Sequence, residues 1–246
     1  MSWIFETVDL CKSFGSLKVA NNINMRLRPG EVRALIGPNG AGKTTFFNLI
    51  TGKLRPSSGQ VKFEGRDLAG LSPYQIVRAG VGRSFQITNI FPRLDVLQNV
   101  MAAVLARKGK ASSVLVRFEG CREEKEEALA LLSLIGLAHK SMLATRNLSH
   151  GERRYLEFGV ALALRPRMLL LDEPTAGMSP EETASTVSLI RKIAENTTVL
   201  FTEHDMSIVF SIADRITVLQ QGTIIAEGTP DEVRSNSLVK TAYLGE

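Results

Sequence analysis

The feature that most constrains the fold of this chain is a glycine-rich segment in its N-terminal third. The residues are Gly37, Pro38, Asn39, Gly40, Ala41, Gly42, Lys43 and Thr44. They fit the pattern G-x-x-x-x-G-K-[ST], in which backbone N–H groups surround phosphate oxygens, the lysine reaches the β- and γ-phosphates and the hydroxyl ligates Mg²⁺. The pattern predicts nucleotide binding by these residues and by the adjacent Thr45, with a strand before the loop and a helix after it.

The composition is that of a globular chain without membrane spans. Of its 246 residues, 44% are apolar and 22% are charged, which is enough apolar surface for a packed core and excludes intrinsic disorder. The longest apolar runs, 158–164 and 168–171, are shorter than the ~18 residues that a spanning helix needs. Glu6 and Asp9 interrupt the apolar start of the chain, so no signal peptide is predicted. We expect residues 1–246 to form a single domain, since α/β domains of roughly 200–250 residues are common.

The charge distribution argues against a nucleic-acid-binding arm, and the cysteine content argues against a disulfide-rich or metal-binding protein. The net charge of +5 comes from 30 Lys and Arg against 25 Asp and Glu, and these residues are spread along the chain. Such a distribution favours a solvated surface over a nucleic-acid-binding arm. Cys11 and Cys121, with three histidines elsewhere, form neither a disulfide framework nor a spaced cluster of metal ligands.

Hydrophobic periodicity divides the chain into three regions. Strands are predicted at 4–8, 19–27 and 32–36, followed by a helix after Gly42. From about 92 to 164 the apolar period is mainly helical. After that, predicted strands at 168–171, 198–202, 216–219 and 223–226 alternate with helices at 180–194 and 205–213. The expected fold class is therefore α/β: a P-loop core of mostly parallel sheet flanked by helices, an N-terminal antiparallel β subdomain, and a helical insertion at about 88–164.

A second nucleotide-handling element is predicted at the end of the strand 168–171. This apolar run leads directly into Asp172 and Glu173, and carboxylates at the end of a buried strand are costly unless they have a partner. A P-loop needs an acid to complete its Mg²⁺ site, and a hydrolase also needs a group that positions water. Asp172 is the predicted Mg²⁺ ligand, and Glu173 is the predicted base or orienting group for the attacking water.

Three further segments lie in a fixed order around these motifs. Gln86 follows the run Arg83-Ser84-Phe85, the segment 148–154 begins Leu-Ser-His-Gly-Glu, and His204 follows the strand 198–202. With the P-loop and the Asp172-Glu173 pair, this order resembles the ATP-binding subunit of an ABC transporter over essentially the whole chain.

The resemblance implies a role for each matching residue. Phe14 would stack on adenine, Gln86 would reach Mg²⁺, water and the membrane subunits, and His204 would bind the γ-phosphate. Ser149 and Gly151 would contact the γ-phosphate of an ATP held by the opposite subunit. The implied catalytic residues are Glu173, His204, Gln86 and Lys43, the implied Mg²⁺ ligands are Thr44, Gln86 and Asp172, and the implied cofactors are ATP and Mg²⁺. Two subunits, identical or different, would enclose two ATP molecules, and closure would drive the transporter.

Each of these side chains also has a simpler interpretation when it is taken alone. Ser149 with Glu152, and Ser179 with Glu182, fit the S-x-x-E capping box at the start of a helix. Capping and phosphate binding are compatible, because both need an exposed helix N-terminus. An isolated phenylalanine is more often a core residue, and an isolated glutamine or histidine is more often an ordinary polar one.

Departures from the commonest family motifs indicate a subfamily. His150 and Glu152 replace a glycine and a glutamine, and Ser179 replaces an aspartate, which removes a charge from the expected dimer contact. Hydrolysis is expected to persist, because the implied catalytic residues are present. These segments, the turn 228–230 and the ending Ala-Tyr-Leu-Gly-Glu resemble the ATPases of bacterial branched-chain amino acid importers, with urea and short-chain amide importers as alternatives. The implied partners are two transmembrane permeases and, indirectly, a solute-binding protein, at the cytoplasmic face of the inner membrane.

Two other functions are alternatives that the sequence alone leaves open. A soluble ABC protein that acts on DNA or ribosomes agrees with the positive charge, but such proteins usually carry two nucleotide domains or a long coiled coil. A P-loop kinase or GTPase leaves the segment 148–154 without a use, and no guanine-reading Asn-Lys-x-Asp occurs. We therefore expect no nucleic-acid partner.

Overall fold

In the C-terminal half of the chain, the strands and helices follow one another in the order that the periodicity predicts. The computed structural model describes residues 2–84, 90–110 and 121–244. Its strands are β1 (Phe5–Phe14), β2 (Leu17–Leu27), β3 (Val32–Ile36), β4 (Ser58–Phe63), β5 (Arg66–Asp67), β6 (Val81–Ser84), β7 (Met168–Asp172), β8 (Thr198–Thr202), β9 (Arg215–Gln220) and β10 (Thr223–Gly228). Its α-helices are α1 (Lys43–Ile50), α2 (Pro73–Ala79), α3 (Val96–Arg107), α4 (Arg122–Leu134), α5 (His150–Ala163), α6 (Pro180–Ala194), α7 (Met206–Ile212), α8 (Pro230–Ser235) and α9 (Ser237–Leu244).

The larger sheet in the described part of the chain has six strands in the order β10-β9-β3-β8-β7-β6. All neighbours pair in parallel except β10, which is antiparallel to β9. Every residue of β3, β7 and β8 is buried, as expected for a parallel sheet with helices on both faces. Because these three strands are adjacent and parallel, the segments that follow them meet at one edge of the sheet.

The smaller sheet has the order β2-β1-β4-β5 and is antiparallel. Its apolar residues share one core cluster with Phe46 and Phe47 of α1 and with Leu35 of β3. Ala34 and Ile36, the neighbours of Leu35, belong to the other core cluster, which contains helices α3 to α7. Successive residues of β3 therefore face opposite layers, and α1 is held between the two sheets. The predicted α/β fold class is confirmed.

Helices α3, α4 and α5 lie between β6 and β7 in the chain and pack against one another. Their buried faces include Val100, Val104, Ala128 and Leu132, which are completely inaccessible to solvent, as expected for amphipathic helices. These helices lie inside the predicted insertion of 88–164, whose limits stay a prediction. Among the described residues, every helix is too short or too polar to span a bilayer.

Several elements between α1 and β6 have no clear periodic signal in the sequence. Strand β5 has only two residues, and α2 has a single buried residue, Ile76, so neither shows an amphipathic repeat. A capping box of Ser72 and Gln75, with Pro73 at the first helical position, fixes the start of α2 instead. At the other end of the chain Thr229 is likewise a helix cap, for α8, where the sequence indicates only a turn.

Candidate nucleotide site

The P-loop joins β3 to α1 and has the conformation of a phosphate cradle. Gly40 and Gly42 have φ angles of 79° and 106°, which residues with a side chain rarely adopt. Gly42 is the residue immediately before α1. Lys43 Nζ donates hydrogen bonds to the carbonyl oxygens of Gly37 at 2.6 Å and Pro38 at 3.2 Å. The side chain of Lys43 therefore folds back over the backbone at the start of the P-loop.

The electrostatics of Lys43 reflect the two acids that the sequence places at the same site. Burial lowers the pKa of Lys43, and the nearby carboxylates of Glu173 and Asp172 oppose this shift. Thr44 and Thr45 occupy the first turn of α1, with Thr44 exposed and Thr45 half-buried. A helix N-terminus with an adjacent lysine and an exposed hydroxyl is suited to bind an anion such as a phosphate group.

The first glycine of the loop is required by packing, because a Cβ on Gly37 would lie 2.2 Å from the carbonyl oxygen of Leu219 in β9. We expect Gly37→Ala to weaken nucleotide binding and to cost about 1–3 kcal/mol of unfolding free energy, as overpacking does. Titration with a fluorescent ATP analogue and thermal unfolding measure the two effects. The control for affinity is Gly30→Ala in the β2–β3 turn, where the space is open but the φ of 75° strains any side chain, so this variant should lose some stability and keep its nucleotide affinity. An unchanged affinity in Gly37→Ala would contradict the cradle.

Asp172 ends β7 and is buried, with both carboxylate oxygens bonded. Oδ2 accepts from Arg83 Nη2 at 2.7 Å, and Oδ1 accepts from Thr202 Oγ1 at 2.9 Å. Arg83 lies on the neighbouring strand β6 and also donates to Asn48 Oδ1 of α1 at 2.8 Å. Arg83 therefore ties Asp172 to the P-loop helix, a role that its position ahead of Gln86 did not reveal.

Glu173, the residue after β7, has a left-handed backbone conformation that is uncommon for a glutamate. Its φ is 48°, in the left-handed region that favours glycine. The Glu173 backbone N–H donates to Thr202 O and Oγ1, both at 3.1 Å, and Glu173 Oε1 lies 2.8 Å from His204 Nε2. The structure thus brings together the two side chains for which the motif order implies catalytic roles.

Glu203 supports the segments on both sides of this pair, a role that no motif in the sequence indicates. Its side chain is buried, and Oε1 accepts from Thr175 N at 2.9 Å and from Thr175 Oγ1 at 2.6 Å. Oε2 accepts from the backbone N–H of His204 at 3.2 Å. The loop after Glu173 and the loop that presents His204 are therefore held by one carboxylate.

Ser149 and Gly151 lie at the N-terminus of α5. Ser149 is exposed and forms the predicted capping box with Glu152, while Lys140 pairs with Glu152 and lowers the pKa of that carboxyl. A Cβ on Gly151 would lie 2.3 Å from Glu182 Oε1 of α6, so the glycine permits close packing of the two helix starts. Both the capping interpretation and an exposed helix N-terminus apply here.

The remaining predicted nucleotide contacts are Phe14 and Gln86. The Phe14 ring is 51% exposed at the end of β1, with Lys12 Nζ 5.0 Å from its centroid. It is therefore outside the core and available for stacking. Gln86 lies outside the described residues, as does its predicted contact with Mg²⁺.

The donor set suits Mg²⁺, which prefers hard oxygen ligands and usually retains water and substrate phosphate in its shell. The exposed hydroxyl of Thr44 and the carboxylate of Asp172 are oxygen donors of this kind. No cluster of His, Cys, Asp and Glu able to hold a metal by itself occurs in the described residues.

Comparison with known proteins places these motifs in a family. A model described as ABC transporter matches residues 20–176, and one described as Branched-chain amino acid ATP-binding cassette transporter matches residues 223–246. The high-affinity branched-chain amino acid transport ATP-binding protein LivG of Salmonella typhimurium is 42% identical over 96% of each chain. BraF of Pseudomonas aeruginosa, which has the same description, is 39% identical over 99% of this chain and 98% of its own.

Solved structures agree with these matches. A nucleotide-free ATP-binding cassette from an ABC transporter superposes with a TM-score of 0.86 at 29% identity, over the full length of both chains. A structure described as the ADP conformation of an ABC transporter cassette gives a TM-score of 0.85 at 30% identity, again over both full chains. The likeness therefore extends over both sheets and the helices between β6 and β7.

Proposed function

This chain belongs to the ABC transporter family of ATP-binding proteins, as its motif order predicts, and we propose that it is the ATP-hydrolysing subunit of a bacterial importer for branched-chain amino acids. The observation that supports the substrate class most directly is the near full-length similarity to LivG and BraF, together with the match of residues 223–246 to the branched-chain amino acid model. The amino acid itself would cross the membrane through separate permease subunits.

In the proposed reaction, Glu173 accepts a proton from the attacking water while His204 fixes the position of its carboxylate. The 2.8 Å separation of Glu173 Oε1 and His204 Nε2 supports this division, since a general base must be oriented as well as basic. Lys43 would move from the carbonyls of Gly37 and Pro38 to the β- and γ-phosphates when ATP enters the loop.

Thr44, Asp172 and Gln86 are the residues that would hold Mg²⁺ beside the phosphates. A bound Mg²⁺ would neutralise charge on the phosphate oxygens. Arg83 keeps the Asp172 carboxylate directed to this edge through its 2.7 Å ion pair. Phe14 would stack on the adenine at the end of β1.

The exposed N-terminus of α5 favours a second ATP-binding subunit, identical or related, as the partner in hydrolysis. Ser149 and Gly151 would contact the γ-phosphate bound to the opposite P-loop, because a helix N-terminus with free N–H groups attracts anions. Two permease subunits, and through them a solute-binding protein, would complete the importer at the inner face of the plasma membrane.

Isolation of the complex from native membranes tests this proposal. A tagged copy of the chain is expected to co-purify with two kinds of permease subunit and a second ATP-binding subunit. In proteoliposomes with the matching solute-binding protein, ATP is expected to drive uptake of labelled leucine, isoleucine and valine. Uptake of urea or short-chain amides instead would replace the substrate assignment. Recovery of the chain without permeases, bound to nucleic acid in a salt-dependent manner, would overturn the proposal.

A further inference from the structure

We propose that Arg154 of α5 is a positioning residue that fixes the backbone of Glu173 and couples it to the proposed phosphate-binding end of the same helix. This inference rests on the proposed function for the identity of the reaction. It assigns a role to a side chain of the segment 148–154 for which the motif comparison implies none.

The contacts of Arg154 converge on the main chain at the end of β7. Arg154 Nη2 donates to the carbonyl oxygens of Asp172 at 2.6 Å and Glu173 at 3.0 Å. Arg154 Nη1 donates to Glu157 Oε2 at 3.2 Å, one turn further along α5. The side chains of Arg154 and Glu157 are 11% and 9% exposed, so these bonds are shielded from water, which strengthens them.

The backbone at Glu173 needs such support. A glutamate with a φ of 48° is in a conformation that persists only when its surroundings determine it. Strand β8 holds the N–H of Glu173 through Thr202, and Arg154 holds the carbonyl. The direction of the Glu173 side chain toward His204 therefore depends on α5 as well as on the sheet.

The position of Arg154 in α5 connects two parts of the proposed site. The helix begins at His150, after the cap Ser149, so Arg154 lies about one turn from the N-terminus. A displacement of this helix when a second subunit's ATP meets Ser149 would shift the guanidinium and, through it, the carbonyls of Asp172 and Glu173. Binding at the start of α5 would in this way adjust the catalytic base.

A guanidinium is suited to this task where an ammonium group is not. Arginine presents several N–H donors in a fixed plane, so it can bond two carbonyl oxygens and a carboxylate at once, whereas lysine is a compact single point of charge. A helix-stabilising pair with Glu157 alone would need only a cation at this spacing. The two interpretations thus differ in the effect of Arg154→Lys.

The experiment compares Arg154→Ala and Arg154→Lys with wild type in the assembled transporter. We expect kcat for ATP hydrolysis to fall about 100-fold in Arg154→Ala, as for a misplaced catalytic group, with KM and ATP affinity changed less than about threefold. The kcat of Arg154→Lys is expected to stay below half of the wild-type kcat. Amide hydrogen exchange in the segment 172–176 is expected to accelerate in both variants. Arg191→Ala is the matched control, because Arg191 also donates to a backbone carbonyl, that of Ser211 at 2.6 Å.

A double variant separates positioning from a general structural effect. If Arg154 acts through Glu173, adding Arg154→Ala to Glu173→Gln should lower the residual rate by less than about twofold, since coupled residues are not additive. Full additivity, or full recovery by Arg154→Lys, would overturn the inference while leaving the proposed function intact. If Arg154→Ala does not fold, the inference is tested on Arg154→Lys alone: wild-type kcat and wild-type amide exchange in the segment 172–176 would overturn it. Failure of the wild type to hydrolyse ATP would instead count against the proposed function.

Discussion

Replacing Glu173 with glutamine is expected to lower ATP turnover by about 10²- to 10⁴-fold, the contribution of a positioned general base. ATP binding should persist, because the amide occupies the same volume and the P-loop is untouched. The neutral amide can still lie beside His204, 2.8 Å away in the wild type, but it cannot accept the proton of water. The ATP-bound dimer should therefore accumulate, since the step that reopens it is blocked.

Steady-state phosphate release and size measurement by light scattering with ATP and Mg²⁺ test this expectation. Glu195→Gln is the matched control, because Glu195 is exposed at the end of α6 and its substitution should change neither turnover nor size. A monomer at every concentration in the Glu173→Gln variant, with normal hydrolysis by the wild type, would contradict the two-subunit site. Normal turnover by the variant would contradict the role of Glu173.

Removal of Arg83 is expected to have the largest effect on stability. Arg83 and Asp172 are 7% and 4% exposed and form an ion pair at 2.7 Å, and breaking a buried pair costs about 3–5 kcal/mol because one charge is left without compensation. Arg83→Met should also loosen α1, since the same guanidinium bonds Asn48 at 2.8 Å. The variant should unfold at a lower denaturant concentration than the wild type.

Urea denaturation of Arg83→Met, Asp172→Asn and the double variant tests this expectation. The double variant should be more stable than Arg83→Met, because it no longer contains the buried carboxylate that has lost its ion-pair partner. Arg165→Met is the matched control: its partner is Glu127 and its side chain is 68% exposed, so it should cost about 1 kcal/mol or less. Equal losses in Arg83→Met and Arg165→Met would show that the buried pair adds no more than a surface one.

Motif residues that are close together in the chain were predictable because local geometry specifies them. The P-loop needs its glycines at fixed positions before a helix, and Gly40 and Gly42 have the positive φ angles that the pattern requires. Helix α6 begins and ends at the predicted residues, because Ser179, Pro180 and Glu182 supply a complete start signal. Elements with few buried residues, such as α2, lacked that information.

Partners that are distant in the chain were not predictable in this way. Arg83 and Asp172 are separated by 89 positions, and Thr175 and Glu203 by 28. Their contacts depend on which strands are neighbours in the sheet. The order β3-β8-β7-β6 cannot be read from the hydrophobic pattern of any single strand.

The sequence by itself determined that this chain is an α/β nucleotide-binding protein of the ABC family, because phosphate binding and helix capping depend on short runs of residue types. The tertiary structure alone decided how the site is held: Arg83 on Asp172, Glu203 beneath two loops, and Arg154 on the carbonyl of Glu173. The physical reason is that a hydrogen bond acts over about 3 Å, so its partner is known only when the packing of strands and helices is known.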